Sequence, residues 1–242
     1  MTLKRILSII VIFVVLYGTT ITVSAEENSI DSIGINEKQF IHQPPELPAK
    51  YGVKLVNTLQ TSKLIEASAS RSADEIHLYT GINFVSTPKT LSSGNRTVLE
   101  VFGGFDLNYI LTWDDTQQIW VQLTAYDDVI PLDGLVISSN AEQYVPLEFD
   151  NNPFTPPPTK DLSEQWNLIG FSDIYPATAR DTLYCVYDEW SEAIGFDAVN
   201  QTYETSIING GSGIHSDERE MYPTKGYWLW MDDPGTLVGL SS

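Results

Sequence analysis

An internal repeat constrains the fold of this chain more than any other feature of its sequence. The stretch Ala193–Ser206 aligns without gaps on Ile110–Leu123. The aligned pairs include Trp113 with Phe196, Asp114 with Asp197, Gln118 with Gln201 and Trp120 with Tyr203. Each copy has an apolar segment, a polar turn and a second segment with an aromatic residue, which is typical of a β-hairpin. Self-similarity of this kind predicts a duplicated supersecondary unit.

The segments on both sides of the hairpin repeat as well. Ile82–Ser86 matches Trp166–Gly170 upstream, and Pro131–Ile137 matches Pro223–Leu229 downstream. Four prolines lie between the two copies, within residues 150–161, and they favour an extended course without hydrogen bonds of its own. The sequence therefore predicts an α+β fold, predominantly β, with two tandem homologous modules joined by a Pro-rich linker.

The two modules are predicted at residues 77–149 and 162–242, each in the order β-α-β-β-β-β. In the first module we expect a short helix at Thr97–Phe102. In the second, a helix is expected to begin near Pro176 and to continue through Val186. The closing strands of the first module are predicted as a second hairpin, formed by Leu135–Ser139 and Glu142–Phe149.

The N-terminus has the parts of a secretory signal peptide at residues 1–25. A basic start precedes the apolar run Ile6–Tyr17, and Val23–Ala25 forms a small-x-small cleavage site. The alternative is an uncleaved anchor, but the apolar run is shorter than the roughly 20 residues that a spanning helix needs. We expect a secreted chain with no transmembrane segment after cleavage. Residues 26–76 are weakly patterned and predict a largely irregular leader, in which Pro44, Pro45 and Pro48 interrupt regular structure.

The formal net charge of −19 excludes nucleic acid and anionic lipid as partners. Adaptation to a salty medium explains this charge. The acidic charge is compatible with calcium binding, but the sequence has no spaced Asp-x-Asp-x-Asp loop to support it. No cofactor is therefore predicted. Cys185 is the only cysteine, which rules out an internal disulfide, and its apolar neighbours predict a small buried side chain.

Two sequons provide candidate glycosylation sites. Asn95 is followed by Arg and Thr, and Asn200 by Gln and Thr, which is the acceptor pattern of exported proteins. Asn200 lies in the predicted turn of the second hairpin, so we expect its side chain to be accessible.

The second module is the longer of the two. Trp113 and Gly134 are 21 positions apart, whereas their counterparts Phe196 and Gly226 are 30 apart. The excess of nine residues falls within a Gly-rich loop at residues 207–222. Insertions of this kind on a repeated scaffold often carry function, so the loop is the first place to look for a site.

Acidic and imidazole side chains are the candidate ligands in this loop. His215, Asp217 and Glu218 are of metal-ligating type, but no second histidine is near, and no metal site is predicted. The adjacent acid pairs elsewhere, such as Asp114 with Asp115, are typical of turns rather than of converging catalytic carboxylates. The chain also lacks a nucleophile elbow, a zinc-protease helix and a phosphate loop, so no catalytic residue is predicted.

Trp228 and Trp230 alternate with apolar residues on one predicted strand. By the repeat, Trp228 replaces the apolar Val136 and Trp230 replaces the polar Ser138. We therefore expect a buried Trp228. Trp230 has two interpretations: it packs against the longer loop, or it offers a partly exposed platform for a sugar or a protein.

The motifs Trp166-Asn-Leu-Ile-Gly and Gly226-Tyr-Trp-Leu, with the segment Ala177–Val186 between them, resemble a module of secreted and surface-layer-associated proteins of methanogenic archaea. Those proteins often also carry polycystic-kidney-disease-type β-sandwich domains. The first copy resembles the same module, with Ile82 at the expected aromatic position. The resemblance implies an archaeal, extracellular or cell-envelope module without an established enzymatic activity.

These observations predict a secreted cell-surface protein with a structural or binding role of the adhesion type, non-catalytic, whose partners are envelope proteins or glycans. Two alternatives remain open. One is a carbohydrate-binding module that uses Trp230 and the 207–222 loop, with Trp228, His215, Asp217 and Glu218 as further candidate contacts. The other is a secreted hydrolase that uses acidic residues of that loop.

Overall fold

The computed structural model describes residues 40–48, 50 and 73–240, and these residues are predominantly β. This confirms the β-rich part of the predicted fold class. The predicted signal peptide and the rest of the predicted leader lie outside the described residues. Within the described part of the chain, no helix is long and apolar enough to cross a membrane.

The first half of the described chain has six strands and one short helix, α1, at Val98–Phe102. Strands β1 to β6 are Glu75–Leu78, Gly81–Val85, Leu107–Asp114, Ile119–Gln122, Leu135–Ser139 and Gln143–Pro146. Helix α1 begins one residue after the predicted start, because Thr97 is its N-cap and forms a reciprocal capping box with Glu100.

The second half has nine strands and the short helix α2 at Ala179–Thr182. Strands β7 to β15 are Thr159–Leu162, Gln165–Gly170, Ala177–Thr178, Trp190–Asp197, Thr202–Tyr203, Ile207–Ile208, Glu220–Met221, Gly226–Met231 and Gly235–Val238. Two 3-10 turns lie between these elements, one at Tyr184–Val186 before β10 and one at Gly213–His215 before β13.

The two main sheets have the same strand order. The first is β2-β5-β3-β4 and the second is β8-β14-β10-β11, with β12 added beside β10. When the four strands of each sheet are taken in chain order, the first pairs with the fourth, the fourth with the second, and the second with the third. A small two-stranded sheet accompanies each, β1 with β6 and β7 with β15. The pairing register also slips at aligned positions, between Leu107 and Tyr109 and between Trp190 and Glu192.

Aligned glutamines join the two sheets reciprocally. Gln118, at the turn after β3, donates to the Trp166 carbonyl of β8 at 2.9 Å. Gln201, at the turn after β10, accepts from the Ile82 N–H of β2 at 2.7 Å and donates to its carbonyl at 2.9 Å. Both glutamines have positive φ, 54° and 53°, which is uncommon for residues other than glycine.

Backbone contacts between the sheets are reciprocal as well. An isolated bridge joins Asp133 to Ile169 and another joins Val85 to Lys225, which are aligned positions with their roles exchanged. The backbones approach so closely here that a Cβ on Gly134 would lie 2.8 Å from the Ile169 carbonyl oxygen. Glycine is required at this contact because it alone removes that Cβ.

Three cores are buried by this arrangement. The shared core lies between the two sheets and draws on both, with Phe84, Leu111 and Trp113 from the first and Leu168, Phe196 and Trp228 from the second. An outer core in each half covers the opposite sheet face, one near α1 and one near α2. The central strands of the main sheets, such as β5 and β14, are therefore buried on both faces, which explains their nearly continuous buried residues.

The structure corrects several predicted elements. The predicted hairpin of Leu135–Ser139 with Glu142–Phe149 is wrong, because β6 leaves the main sheet and pairs with β1. The last residues of the predicted linker form β7, which pairs with the C-terminal strand β15. The predicted helix from Pro176 to Val186 is broken, because Ala177 and Thr178 pair with β13 before Thr178 caps the short α2.

Cys185 is exposed, contrary to the prediction. It lies in the 3-10 turn after α2, where its neighbours Leu183 and Val186 point into the outer core while Tyr184 and Cys185 face solvent. The apolar run in the sequence therefore does not correspond to a uniformly buried segment.

The reciprocal glutamine bonds can be tested by substitution. Gln201→Ala leaves the N–H and carbonyl of Ile82 without the partner they have at the sheet interface. We expect a loss of about 2 kcal/mol in the free energy of unfolding, because an unsatisfied buried polar group costs about 1–3 kcal/mol. Denaturation in urea measures this loss. Gln117→Ala is the matched control, because Gln117 bonds to Asp114 within its own turn; equal losses in both variants would contradict the cross-sheet role.

Candidate binding groove

An N-terminal strap, Phe40–Pro48, crosses the rim of the shared core. From residue 43 to residue 48 its side chains follow the order exposed, buried, intermediate, twice over. Pro44 and Leu47 are the two buried positions. A repeat of three residues is that of the polyproline II helix, which presents one edge to a surface and leaves its backbone groups available for external partners.

Two indole N–H groups bind carbonyls of the strap at the same spacing. Trp166 donates to the Gln43 carbonyl at 3.0 Å, and Trp120 donates to the Glu46 carbonyl at 2.9 Å. Trp120 lies on β4 of the first sheet and Trp166 on β8 of the second. The strap is therefore held by both halves of the molecule through groups that it cannot satisfy by itself.

A buried carboxylate holds the beginning of the strap. Glu192 has a solvent-inaccessible side chain, and its two oxygens accept from the backbone N–H groups of Ile41 at 2.9 Å and His42 at 2.8 Å. A buried carboxylate is costly unless hydrogen bonds compensate its lost hydration. The register shift in β10 lies immediately before Glu192. The strap amides are thus part of what makes this buried acid tolerable.

Aromatic contacts complete the docking of the strap. The imidazole of His42 stacks on the indole of Trp230, with centroids 3.8 Å apart and planes 4° from parallel. Phe40 meets Tyr203 edge-on at 5.9 Å. Burial raises the pKa of the Tyr203 hydroxyl, which lies 3.3 Å from the indole nitrogen of Trp228.

The surface beneath the strap is here termed the aromatic groove. It consists of one residue from each of five strands of the two main sheets: Trp120, Trp166, Glu192, Tyr203 and Trp230. It combines apolar and aromatic area with two indole donors and one carboxylate acceptor. Such a surface binds an extended backbone, because its polar groups pair with main-chain N–H and carbonyl groups rather than with particular side chains.

The structure separates Trp230 from the 207–222 loop. Side chains alternate along β14, so that Trp228 and Trp230 face the shared core while Leu229 and Met231 face the outer core. Ile207 belongs to that outer core. Trp228 is fully buried, in line with its apolar counterpart, whereas Trp230 is partly exposed beside the strap. The tryptophan and the loop that were combined in the carbohydrate hypothesis thus lie on opposite faces of one sheet.

Asp217 and Glu218 of the loop form ion pairs with an arginine of the same chain. Arg180, on α2, pairs with both oxygens of Asp217, at 2.7 and 3.1 Å, and with Glu218 at 2.5 Å. The hydrogen bonds from Arg180 lower the pKa of the Asp217 carboxyl, against the opposing effect of burial, and the Gly210 N–H lowers it further. His215 lies 2.9 Å from the Ser206 carbonyl oxygen through Nδ1. These contacts fold the loop onto α2.

Adjacent acidic pairs elsewhere in the chain stabilise turns through hydrogen bonds to the backbone. Asp114 accepts from the N–H of Gln117, and Asp127 accepts from the N–H of Thr124, each within a turn. Among the residues that the structure describes, no group of three or more His, Cys, Asp or Glu side chains is arranged to hold a metal ion.

The two candidate glycosylation sites differ in accessibility. Asn200 is exposed in the turn between β10 and β11, where its amide donates to Asp197. Asn95 is only partly exposed, and its side-chain oxygen is buried.

Sequence reasoning missed the strap and Glu192. The sequence did contain a signal for the strap, because Pro44, Pro45 and Pro48 form a pattern typical of extended peptide ligands. Glu192 gave no signal, since a single acid in an apolar strand does not reveal what its side chain faces.

Comparison of the chain with protein-family models, with curated proteins and with solved structures finds no match.

The ion pair of the loop predicts a pH-dependent stability. The pKa of Asp217 is lower in the folded chain than the unfolded value of about 3.9. The contribution of ionised Asp217 to the free energy of unfolding is therefore fully present above about pH 4, and it is lost as the pH falls through the pKa of the folded chain. We expect Asp217→Asn to reduce the free energy of unfolding by about 2 kcal/mol at pH 7. The gap to the unmodified chain should narrow below pH 4 in urea denaturation series. The exposed Asp188, changed to Asn, is the control, and a gap that stays constant down to pH 2 would contradict the assignment.

Proposed function

We propose that this chain is a non-catalytic, secreted protein of the cell envelope with a structural or binding role of the adhesion type. Its binding site is the aromatic groove, and its ligand class is an extended, proline-rich peptide segment. The observation that carries the proposal is the docking of Phe40–Pro48, whose backbone pairs with Trp120, Trp166 and Glu192.

Physical chemistry favours a proline-rich ligand for this groove. A polyproline II segment is already extended before it binds, so that little conformational entropy is lost on docking. Its carbonyls are unpaired and meet the indole donors, while its buried edge supplies small apolar side chains such as those of Pro44 and Leu47. The groove recognises mainly the backbone and the extended shape of its ligand, which suits contact between envelope proteins.

A tandem duplication underlies this architecture in our proposal. Supporting it are the common strand order of the two main sheets, the aligned register shifts and the reciprocal glutamines Gln118 and Gln201. Asn83 and Asn167 add a further parallel, because each amide binds the backbone four residues and two residues before it. The Pro-rich segment before β7 then connects two modules that share a core.

Export and an envelope setting rest on sequence features. The signal-peptide pattern at residues 1–25, the net charge of −19 and the resemblance of the Trp166-Asn-Leu-Ile-Gly motif support them. Partners are accordingly sought among envelope proteins and glycans.

The two rival functions are less well supported by the geometry. A sugar platform needs a free indole face, and His42 occupies one face of Trp230. A hydrolase of the proposed kind needs two carboxylates that converge across a cleft, whereas Asp217 and Glu218 both bind Arg180.

Peptide binding tests the proposed function directly. In a full-length strap variant, Pro44→Glu with Leu47→Glu, two charges replace the buried anchors of the strap and should release it from the groove. We expect a fluorescently labelled peptide of residues 40–48 to bind this variant with an increase in anisotropy, and to bind the unmodified chain much more weakly because its groove is occupied.

The control peptide carries the same two substitutions and should not bind. A strap variant that remains folded by circular dichroism but fails to bind the unmodified peptide would overturn the proposal. Binding of polysaccharides to the same variant, lost on Trp230→Ala, would instead favour the carbohydrate-binding function.

A further inference from the structure

We propose that the aromatic groove of one copy of this chain takes the strap of a second copy, so that the protein self-associates by strap exchange. This inference rests on the proposed function and names the partner of the same site. The occupant is residues 40–48 of another molecule, docked through the contacts that the strap makes within its own chain.

The strap behaves as a separable ligand. The backbone groups of Ile41, His42, Gln43 and Glu46 bind side chains of the main sheets and not one another. The strap also adds no strand to a sheet. Every contact that holds it can therefore be made equally well by an identical segment from another molecule, which is the condition for exchange of an element between protomers.

The chain between the strap and β1 is long enough for the strap to reach a second molecule. The sequence places 24 residues, 49–72, between the end of the strap at Pro48 and Ala73, which precedes β1. An extended chain advances about 3.3 Å per residue, so this number of residues can span at most about 80 Å. A compact body of this size is about 40 Å across. The length of the connection is therefore sufficient to supply either the groove of the same molecule or that of a neighbour.

The side chains of the strap match the groove as well as its backbone does. Phe40 meets Tyr203, His42 stacks on Trp230, and Leu47 enters the shared core. A foreign proline-rich segment reproduces the backbone contacts, but it has these anchors only if it has the same sequence. Among candidate occupants, a second copy is the one whose fit to every part of the groove is given by the structure.

Concentration and salt decide which form prevails. A tethered strap competes at an effective concentration in the millimolar range, so dilute protein should be monomeric. A high local concentration of the protein, such as that in a cell envelope, favours exchange between molecules. The net charge of −19 opposes association, but charge repulsion extends only about 3 Å at 1 M salt, compared with about 8 Å at 0.15 M. Association by strap exchange should therefore strengthen with salt.

Complementary variants of the full-length chain test the exchange. The strap variant, Pro44→Glu with Leu47→Glu, has a vacated groove and a disabled strap. A groove variant, Trp120→Ala with Trp230→Ala, has an intact strap and lacks one indole donor and the His42 stacking surface. Both tryptophans are partly exposed, so we expect the groove variant to remain folded. Trp120→Phe provides a milder version that removes the indole N–H but keeps an aromatic ring at this position.

Size-exclusion chromatography with light scattering at 1 M salt gives the result. We expect each variant alone to be monomeric and an equimolar mixture to form a one-to-one dimer, which an excess of the 40–48 peptide dissociates. A monomeric mixture whose strap variant still binds the peptide would overturn strap exchange and leave the proposed function intact. A monomeric mixture whose strap variant binds no peptide would overturn both. Dimers formed by the strap variant alone would also contradict the exchange, because that variant has no competent strap.

Discussion

The shared core is the feature on which the rest of the structure depends. Each main sheet has an outer core of its own, but the opposite face of each, with Phe84 and Trp113 on one and Phe196 and Trp228 on the other, is covered only when the two sheets meet. Burial of apolar area is non-directional, so it does not fix how the sheets meet. The backbone bridges and the reciprocal glutamines supply that direction.

The binding groove arises where this core reaches the surface. A sandwich of two sheets leaves aromatic edges at its rim, and Trp120 and Trp230 would extend the apolar surface there without a cover. Glu192 adds a buried charge that needs hydrogen-bond donors. An extended strap answers both needs, because it supplies apolar side chains on one edge and amide groups along its backbone.

The proposed duplication explains why this site is built once rather than twice. At the aligned positions the first module has Ile82 in place of Trp166, Tyr109 in place of Glu192 and Ser138 in place of Trp230. The first module therefore lacks the indole donor and the carboxylate at the equivalent place.

The sequence by itself determined the β-rich class, the place of the short helix α1 to within one residue, and the burial of Trp228. These depend on local patterns and on alignment of the chain with itself. Only the tertiary structure decided that β6 pairs with β1, that the loop acids bind Arg180, and that the strap docks on Glu192. The reason is physical: strand pairing, ion pairing and the compensation of a buried charge join residues far apart in sequence, and no local pattern specifies which distant partner will satisfy them.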